Sequence, residues 1–512
     1  MTWYQADPLL ARAMPVLRSV ESVQHPLYLA GGAVRDLLRG VRLHDLDFVT
    51  SGDVRQMARR TADALGGGFY PMDEERGTMR VVLAEEGGGR LFLDFSRLRA
   101  DTLEGDLRLR DFTINAMALP LGDEARLIDP TGGQTDLREK RLRACSESAM
   151  QDDPLRVLRG VRMALGLGLR VEAATLGWMR AAAAGLERVS GERRRDELFR
   201  LLEGGMVSSG LRLMDTLGAL QAVLPELTAL KGVSQSPPHQ LDAWEHTLAV
   251  VQELEDVLAA LAQDADQEAS ANLMMGLAVT QLGRYRQRFA EHLAERVHMD
   301  RPMRALLFLA ALYHDAGKAH TRSQGVDGRV HFYEHEGQSV RAWGSCARRL
   351  ALSQAETERV ETILRHHMRI HHLAAQPHDP SARAVYRFFR ACGPAGVDVC
   401  LLTLADVRGT YRTTLTTDIW QREVGICRRL LEAWWEGPSE SVRPQRLVNG
   451  QDLIEQFGVP PGKRIGLALD AVLEAQACGE VSDRAGALEF VRGWLAEHPQ
   501  DAPSGGKSTW KN

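Results

Sequence analysis

The stretch LYLAGGAVRD (residues 27–36), followed by LHDLDFVT (residues 43–50), decides how the N-terminal part of this chain folds. The first stretch begins as a short apolar strand, turns through a glycine pair and continues as a helix. Such a turn presents backbone N–H groups to a phosphate, and the arginine that follows adds a positive charge. The pattern therefore predicts a site for a phosphorylated ligand. Its candidate residues are Gly31, Gly32 and Arg35, and Asp36 directly follows them.

The second stretch carries Asp45 and Asp47 in a strand-like run. Since alternate residues of a strand share a face, both carboxylates would project together. Adjacent carboxylates repel each other unless cations lie between them, and Mg²⁺ ions would serve there while organising an in-line phosphoryl displacement. Asp94, in RLFLDFSRL (residues 90–98), is the candidate third carboxylate. The plainer interpretations are two solvated aspartates on an edge strand and an Asp94 that caps a turn.

A basic segment, RLRDFTINA (residues 108–116), follows the strand-rich part of the chain. Arg110 can meet a triphosphate, the carboxylate of Asp111 can accept from ribose hydroxyls, and the amide of Asn115 can orient the sugar. Together these residues predict a nucleotide-binding segment.

A second candidate nucleotide-binding segment is DDPLRVLRGVR (residues 152–162). Asp153 and Arg156 are three positions apart, so on a helix they would share a face and present acceptors and donors to the edge of a base. Arg159 and Arg162 continue the basic series. The plainer interpretation is an N-cap aspartate with an intrahelical ion pair.

Most of the 16 histidines lie between residues 236 and 440. A helical histidine, an adjacent His-Asp pair and a distal aspartate resemble the metal site of HD-type phosphohydrolases. Mixed nitrogen and oxygen ligands suit Mn²⁺, Fe²⁺, Ni²⁺ or Mg²⁺. The predicted ligands are His246, His314, Asp315 and Asp406 for a first metal, and His335 with His366 or His367 for a second. The alternative is a degenerate HD domain that serves only in packing.

The composition limits the class of protein. At 512 residues the chain is too long for one core, and its 44% hydrophobic and 26% charged residues are ordinary for a globular protein. No apolar run approaches the roughly 20 residues that span a bilayer, so no membrane association is expected. Six scattered cysteines without a CxxC pair predict reduced thiols in a cytoplasmic protein. The net charge of −5 does not decide the RNA question, because net charge says little about local fields.

In their order and spacing, the N-terminal motifs resemble those of the class II tRNA nucleotidyltransferase and bacterial poly(A) polymerase family. The shared elements are GGxVRD, the DxD strand, RxRDFTINA, the Asp-x-x-Arg segment with its LRxxR extension, and ERxxxEL, which together reach to about residue 230. The resemblance implies template-independent, Mg²⁺-dependent addition of nucleotides to an RNA 3′ end, most simply that of tRNA, from CTP and in some members ATP.

The resemblance also implies roles for matching residues. Asp45 and Asp47 would bind the catalytic metal, and the GGxVRD residues would contact the triphosphate. Asp111 with Asn115 would contact the ribose, and Asp153 with Arg156 would serve as an amino-acid template for the base. In related nucleotidyltransferases the HD domain is similar to phosphodiesterases and phosphatases that act on 2′,3′-cyclic or 2′-phosphate ends.

The implied fold is α+β, with a nucleotidyltransferase head built on a small mixed sheet with helices, followed by an all-α neck, HD body and tail. The predicted boundaries are 1–142 for the head, 143–235 for the helical neck, 236–440 for the HD-type domain, 441–498 for the helical tail and 499–512 for a disordered end.

Three departures from the family pattern bear on specificity. Leu109 replaces the first of two usual arginines, and Asp152 replaces the usual glutamate of the template motif. The segment from Phe95 to Arg108 is short, whereas enzymes that complete CCA typically have a longer, arginine-bearing loop there. This shortness resembles the CC-adding branch, in which a separate enzyme adds the final A.

Several functions remain in competition with CC addition on the sequence alone. The alternatives are a full CCA-adding or A-adding enzyme, a poly(A) polymerase, and an HD phosphohydrolase whose head only binds RNA. The intact aspartates Asp45 and Asp47 argue against the last of these.

Overall fold

The structure is a computed structural model, which describes residues 3–498 apart from residues 44, 74–76, 85–89, 123–125, 266–271 and 300. The chain divides into two compact units, Met1–Pro225 and Glu226–Asn512. The predicted head and most of the predicted neck lie in the first unit, and the predicted HD and tail segments lie in the second. The predicted disordered end, residues 499–512, lies outside the described residues.

The first unit is built on a six-stranded sheet with the strand order β3-β4-β5-β2-β1-β6. Its strands are β1 (Leu27–Ala30), β2 (Asp45–Thr50), β3 (Gly68–Asp73), β4 (Thr78–Ala84), β5 (Arg90–Arg97) and β6 (Ala118–Pro120). Strands β2 and β5 run parallel, and the other neighbouring pairs are antiparallel. The sheet is therefore mixed, which confirms the α+β prediction.

Helices pack on both faces of this sheet. The helices within the strand-rich part are α1 (Pro8–Val20), α2 (Gly32–Leu38), α3 (Val54–Leu65), α4 (Leu103–Arg108) and α5 (Gly133–Arg138). Helix α3 begins at Asp53, whose side chain accepts from two backbone N–H groups, and ends at Gly66 in the left-handed conformation. Alternate residues of β4 and β5 pack with α1 and α3 into one apolar core. The opposite face carries polar side chains together with a smaller apolar cluster that includes Val49 of β2 and Leu103 and Leu107 of α4.

The remainder of the first unit is almost wholly helical. A short parallel pair, β7 (Arg141–Leu142) and β8 (Arg170–Val171), accompanies its helices. These helices are α6 (Glu147–Asp152), α7 (Leu155–Gly166), α8 (Ala173–Ala182), α9 (Gly191–Leu202), α10 (Val207–Thr216) and α11 (Ala219–Val223), with α12 (Pro225–Thr228) at the division. Helix α7 packs against α9, which places the charged start of α9 near the start of α7.

The second unit is helical with two short hairpins. Its first helices are α13 (Ala243–Ala260), α14 (Leu273–Leu282), α15 (Arg286–Ala294), α16 (Met303–Tyr313), α17 (Lys318–Thr321), α18 (His335–Arg349) and α19 (Gln354–His366). They are followed by α20 (Arg369–Ala374), α21 (Ala382–Cys392), α22 (Ala395–Tyr411), α23 (Thr417–Trp435) and α24 (Ser439–Val442). The hairpins pair β9 (Arg296–His298) with β10 (Arg301–Pro302), and β11 (Arg322–Gln324) with β12 (Val330–Phe332).

Helices α13, α16 and α22 form the centre of the second unit. Helix α16 is buried along its whole length, and α22 is buried at nearly every position, because helices surround both. The chain ends with α25 (Gly450–Phe457), α26 (Lys463–Ala477) and α27 (Arg484–Glu497), which share a separate apolar cluster.

Among the described residues, no single helix has the length and apolar character needed to cross a membrane. One bent pair, Ala382–Cys392 with Ala395–Thr414, meets the length and composition test jointly across a bend of 104°.

Candidate active sites

The parallel strands β2 and β5 bring three carboxylates to one face of the sheet. Asp47 and Asp94 are direct partners in the strand register, and Asp45 lies two residues before Asp47. Phe48 and Phe95 point to the opposite face and stack in the core. The tertiary structure thus places the predicted third carboxylate beside the predicted pair.

These carboxylates are crowded. Burial and the negative charge of Asp94 raise the pKa of Asp47 to about 6. Arg80 of β4 donates to both oxygens of Asp94, at 2.7 and 2.6 Å, and neutralises that carboxylate. A buried carboxylate that resists ionisation is stabilised in its charged form by a cation with a preference for oxygen ligands. The residues of this face therefore fit a divalent cation such as Mg²⁺.

Arg35, predicted to contact a triphosphate, forms hydrogen bonds with other predicted site residues. Arg35 donates from Nε and Nη2 to Asp36, at 2.9 and 2.6 Å, and from Nη1 to the amide oxygen of Asn115, at 2.7 Å. Gly31 has a φ of +74°, and a Cβ there would lie 2.7 Å from Nη1 of Arg110. Glycine is required at this position both by the backbone conformation and by the close approach of Arg110.

A chain of polar contacts runs from this loop into helices α7 and α9. Asn115 donates to Asp111 at 3.1 Å, and Asp111 accepts from Nη1 of Arg159 at 3.1 Å. Arg159 and Arg162 both donate to Glu197, at 3.4 and 2.9 Å. Although burial opposes ionisation, Arg159 and the hydrogen bonds keep the pKa of Asp111 below its usual value. The carboxylate of Asp111 is thus kept ionised and holds the side-chain amide of Asn115 by a hydrogen bond.

A cavity of about 320 Å³ lies beside these groups. Eight of the site residues predicted from the sequence line it, namely Gly31, Gly32, Asp47, Arg110, Asp111, Asn115, Arg156 and Arg159. Its lining does not include Asp45, Asp94, Arg35, Asp36, Asp153 or Arg162. Sequence analysis missed Arg97, Arg99 and Asp106, which also line the cavity. Arg97 is the last residue of β5, and Arg99 and Asp106 lie between β5 and the nucleotide-binding segment, where no motif marks them.

One prediction for this region is wrong, since Asp153 and Arg156 do not share a helix face. Asp153 has extended backbone between α6 and α7, with φ −141° and ψ 93°. The reason is Pro154, because a residue before proline is disfavoured in the helical conformation. The carboxylate of Asp153 instead accepts from Nη2 of Arg193, at 2.8 Å.

The guanidinium of Arg156 is oriented by backbone carbonyls. It donates to the carbonyl oxygens of Ala149, Leu109 and Arg110, at 3.1, 3.3 and 3.5 Å. These bonds hold the side chain at the cavity wall. Arg156 is therefore the better placed of the two predicted template residues to meet a base inside the cavity.

We expect Arg156→Ala to loosen the choice between CTP, UTP and ATP. The loss of a paired base contact should reduce discrimination about tenfold or more, since such a contact contributes about 1–3 kcal/mol. Single-nucleotide incorporation with each triphosphate would measure this. Arg180→Ala is the matched control, because Arg180 is exposed on α8 and does not line the cavity. A uniform loss of rate with unchanged selectivity would mean that Arg156 is purely structural.

In the second unit, three histidines are oriented in the same way. The Nδ1–H groups of His314, His335 and His367 donate to the carbonyl oxygens of Ala311, Phe332 and Leu364, at 2.8, 3.0 and 2.8 Å. A carbonyl only accepts, so in the neutral form of each ring the lone pair lies on Nε2. These lone pairs point toward one cluster of carboxylates. Metal-ligating histidines are commonly oriented by such outer hydrogen bonds.

Asp315 lies at the centre of this cluster. Its Oδ2 is 3.3 Å from Nε2 of His246 and 3.2 Å from Nε2 of His314, while its Oδ1 is 3.3 Å from Nε2 of His335. Asp406 Oδ1 lies 3.2 Å from His246. Two groups suited to a metal ion result, namely His246, His314 and Asp406, and Asp315, His335 and His367. Asp315 can therefore bridge two ions.

Buried atoms without partners test whether these residues fit metal ions. Nε2 of His246 and Nε2 of His314 are buried without hydrogen-bond geometry, although carboxylate oxygens lie 3.2–3.3 Å away. Nε2 of His335 faces Nε2 of His367 at 3.2 Å, which brings two lone pairs together when both rings are neutral. Both arrangements are unfavourable alone and favourable around cations. The residues fit two divalent ions.

Of the two adjacent histidines proposed for the second metal, the structure selects His367. Burial and its neighbouring histidines lower the pKa of His367 to about 3, which keeps the ring neutral. His366 belongs to neither ligand group of the described residues, and burial with neighbouring arginines lowers its pKa to about 4. The prediction for His366 is therefore not supported by the geometry.

Sequence analysis missed two histidines at this site. His239 forms a further possible ligand group with His246 and Asp315. No motif marks His239, because it lies in the Pro-rich stretch PPHQ (residues 237–240), next to the predicted start of the HD-type domain. His371 bonds to Asp406 at 3.0 Å and to Glu423 at 2.9 Å. Although burial opposes it, these bonds raise the pKa of His371 to about 10.

Models of known families match three successive segments of the chain. The Poly A polymerase head domain matches residues 27–143. The probable RNA and SrmB-binding site of polymerase A matches residues 168–231, and the HD domain matches residues 286–406. The head and RNA-binding matches lie in the part of the chain that holds the first candidate site, and the HD match lies in the part that holds the second.

Curated relatives match nearly the whole chain. An A-adding tRNA nucleotidyltransferase of Deinococcus radiodurans is 33% identical over 478 residues, which cover 92% of this chain and 96% of that protein. A CC-adding tRNA nucleotidyltransferase of Geobacter sulfurreducens is 31% identical over 464 residues, which cover 91% of each.

Solved structures agree at the level of the fold. A CCA-adding enzyme in an apo form has a TM-score of 0.61 at 22% identity and 96% coverage of both chains. The Thermotoga maritima CCA-adding enzyme complexed with tRNA has a TM-score of 0.56 at 22% identity, over 97% of this chain and 99% of that one. With its head, RNA-binding and HD domains and relatives of more than 30% identity along its length, this chain belongs to the tRNA nucleotidyltransferase and poly(A) polymerase family.

Proposed function

We propose that this tRNA nucleotidyltransferase adds CMP from CTP to the 3′ end of tRNA and stops after CC, leaving the final A to a separate A-adding enzyme. The observation that carries this proposal is the short link between β5 and the nucleotide-binding segment. Strand β5 ends at Arg97, and α4 begins after Thr102, whose side chain caps the helix. Few residues therefore remain outside regular structure.

Buried contacts hold this link in place. The carboxylate of Asp106 on α4 is 1% exposed. It accepts from the backbone N–H and Nε of Arg99, both at 3.0 Å, and from Nε of Arg110, at 3.4 Å. Completion of CCA requires the base pocket to change from cytosine to adenine. A lever that reshapes a pocket needs spare chain to move, and this link is short and anchored at both ends.

A pocket built for adenine without any change of shape is the competing proposal. The names of the relatives do not separate the two, since one is A-adding at 33% identity and another CC-adding at 31%. The anchored link argues against full CCA addition. Incorporation of CMP from CTP would separate CC addition from A addition and from polyadenylation.

Three tRNA substrates test the proposal. We expect CTP to extend tRNAs that end at the discriminator base and at the first C, and we expect ATP not to extend a tRNA that ends in CC. Sequencing of products made with CTP and ATP, singly and together, would measure this. Efficient addition of A to the CC end would overturn CC specificity and leave the transferase function intact.

For the transfer itself, we propose that Asp45 and Asp47 hold Mg²⁺, which would supply charge neutralisation for the in-line displacement. Asp94 would contribute a third carboxylate, with Arg80 limiting its charge. Gly31, Gly32 and Arg110 would contact the triphosphate, and Asp111 with Asn115 the ribose. Arg159 would position Asp111, to which it is bonded.

We further propose a second activity, a metal-dependent phosphodiesterase or phosphatase in the HD domain that acts on 2′,3′-cyclic or 2′-phosphate RNA ends. The paired lone pairs of His335 and His367 and the bridging carboxylate of Asp315 support it. Divalent ions such as Mn²⁺, Ni²⁺ or Mg²⁺ would activate water at this site. Water adds to phosphorus, one bond between phosphorus and a ribose oxygen breaks, and that oxygen takes a proton.

The chain would work in the cytoplasm as four segments, with the boundaries given from the sequence. The helical neck and tail would contact the body of the tRNA.

A further inference from the structure

The HD site opens into a cavity of about 780 Å³, far more than a phosphate group requires. Asp315, His335 and Asp406 of the ligand groups line it. Sites for small organic ligands typically have volumes of roughly 300–1,000 Å³. The cavity therefore has room for the organic part of a phosphate ester beside the metal cluster.

The hairpin β11–β12 forms part of the cavity wall. It lies between α17 and α18, so Lys318 of α17 precedes it and His335 of α18 follows it. The backbone N–H of Val330 donates to Oγ of Ser236 at 2.7 Å, which docks the hairpin on the segment that carries His239. The hairpin is therefore linked to the candidate metal ligands in three ways. Lys318 precedes it, His335 follows it, and Val330 bonds to the segment that carries His239.

Lys318 connects the hairpin wall with the cluster. Its Nζ lies 2.7 Å from Oδ2 of Asp315 and 5.4 Å from the centre of the Phe332 ring. The same Nζ donates to Oε1 of Gln235 at 2.7 Å. A phosphate at the candidate metal ligands would thus lie near the ammonium group of Lys318. The organic group attached to that phosphate would lie near the ring of Phe332.

The lining beyond the cluster is substantially apolar. Val330 and Phe332 contribute from the hairpin, and Met368, Val407 and Ile419 contribute from the helices around α20, α22 and α23. A simple phosphate ester or inorganic phosphate has no surface to bury against these groups. A ribose with its base does, since every base has a face that stacks on aromatic and apolar side chains.

The mouth of the cavity carries a further cation. Arg329 lines the cavity from the start of β12, and its side chain is 72% exposed, with Asp327 3.8 Å away. An exposed arginine at the rim can meet a second phosphate without closing the cavity. The site is therefore open to a chain that continues outward from the bound nucleoside.

We propose that this cavity is a nucleoside subsite, in which Phe332 stacks on the terminal base of an RNA whose phosphate lies at the HD cluster, and Arg329 contacts the preceding phosphate. The proposal rests on the proposed HD activity and adds the residues that recognise the substrate. Phe332 and Arg329 are specificity-determining residues, and Lys318 positions the phosphate between the ring and the cluster.

Paired substrates test the subsite with the full chain. Adenosine 2′,3′-cyclic phosphate and ethylene phosphate contain the same five-membered cyclic diester, with and without the nucleoside. We expect wild type to prefer the adenosine compound, and Phe332→Leu to lower kcat/KM for it about tenfold through KM, because base stacking contributes about 1–3 kcal/mol. Turnover of ethylene phosphate should be unchanged. Tyr333→Leu is the matched control, since Tyr333 is 71% exposed and does not line the cavity.

Binding provides a readout that does not depend on turnover. Calorimetry with adenosine 2′-monophosphate, with and without Mn²⁺, should show weaker binding by Phe332→Leu than by wild type or Tyr333→Leu. Arg329→Gln should lower kcat/KM about threefold for a dinucleotide with a 2′,3′-cyclic end and leave the mononucleotide unaffected.

The outcomes separate the two proposals. If neither diester is hydrolysed in the presence of Mn²⁺, Ni²⁺ or Mg²⁺, the HD activity is refuted. The calorimetry would still show whether Phe332 contributes to nucleotide binding. Equal turnover of the two diesters by wild type, or nucleotide binding that is unchanged in a folded Phe332→Leu protein, would refute the subsite and leave the HD activity standing.

Discussion

Asp47→Ala is expected to reduce nucleotide addition by about three orders of magnitude or more, since a metal-held carboxylate supplies several kcal/mol of transition-state stabilisation. Asp47 lies between Ala30 of β1 and Asp94 of β5 in the sheet, and it also lines the cavity that holds the predicted ribose-binding residues. Single-turnover incorporation of CMP into tRNA would measure the loss. Transfer within tenfold of wild type would contradict the metal assignment.

Stability measurements distinguish this loss from unfolding. Burial and Asp94 raise the pKa of Asp47 from 3.8 to about 6, so the stabilising effect of the protonated group is present below 3.8 and is lost as the pH rises through 6. At pH 7 the ionised carboxylate therefore destabilises the metal-free protein. Asp47→Asn should raise the Tm of that protein at pH 7, and its advantage should vanish near about pH 4.

A surface carboxylate offers the matched control for this experiment. Asp63 is exposed on α3 of the same unit. Asp63→Ala should leave nucleotide addition unchanged and should not raise the Tm as Asp47→Asn does. A fall in Tm for Asp47→Asn at pH 7 would contradict the electrostatic description of the carboxylate cluster.

His314→Ala is expected to abolish hydrolysis of 2′,3′-cyclic phosphate ends and to spare nucleotide addition. The Nε2 of His314 is buried and oriented toward Asp315 by the hydrogen bond from Nδ1 to Ala311, so the variant removes one ligand of the first metal group. Loss of one of the few ligands of a metal should reduce hydrolysis by about two orders of magnitude or more. Both activities should be measured on the same preparation.

Metal content provides the independent readout for this variant. Mass-spectrometric analysis should find fewer tightly bound divalent ions in His314→Ala than in wild type. His320→Ala is the matched control, because His320 is exposed on α17 close to the cluster in sequence. Loss of both enzymatic activities from a folded His314→Ala protein would contradict two chemically separate sites.

The sequence predicted much of the first site because its signals are local. Alternation along a strand placed Asp45 and Asp47 on one face without knowledge of the rest of the fold. The glycine pair before Arg35 marked a turn that only glycine accommodates at Gly31, where φ is +74°. Local geometry of this kind is decided by neighbours in the chain.

The error at Asp153 arose from ignoring a local signal. The three-residue spacing to Arg156 predicts a shared face only if both residues are helical, and Pro154 prevents this for the residue before it. The contact of Asp153 with Arg193, by contrast, joins residues 40 positions apart and has no signal in spacing.

By itself, then, the sequence determined the family, the order of the two sites, the paired carboxylates and the adjacent His-Asp pair, because short periodicities and motifs encode the geometry of single strands and helices. Only the tertiary structure decided that Asp94 pairs with Asp47, that His367 rather than His366 faces the cluster, and that His239 joins it. Those relations depend on strand register and on the packing of helices from distant segments. Hydrogen bonds to backbone carbonyls orient the histidine rings, and no sequence spacing reveals these bonds.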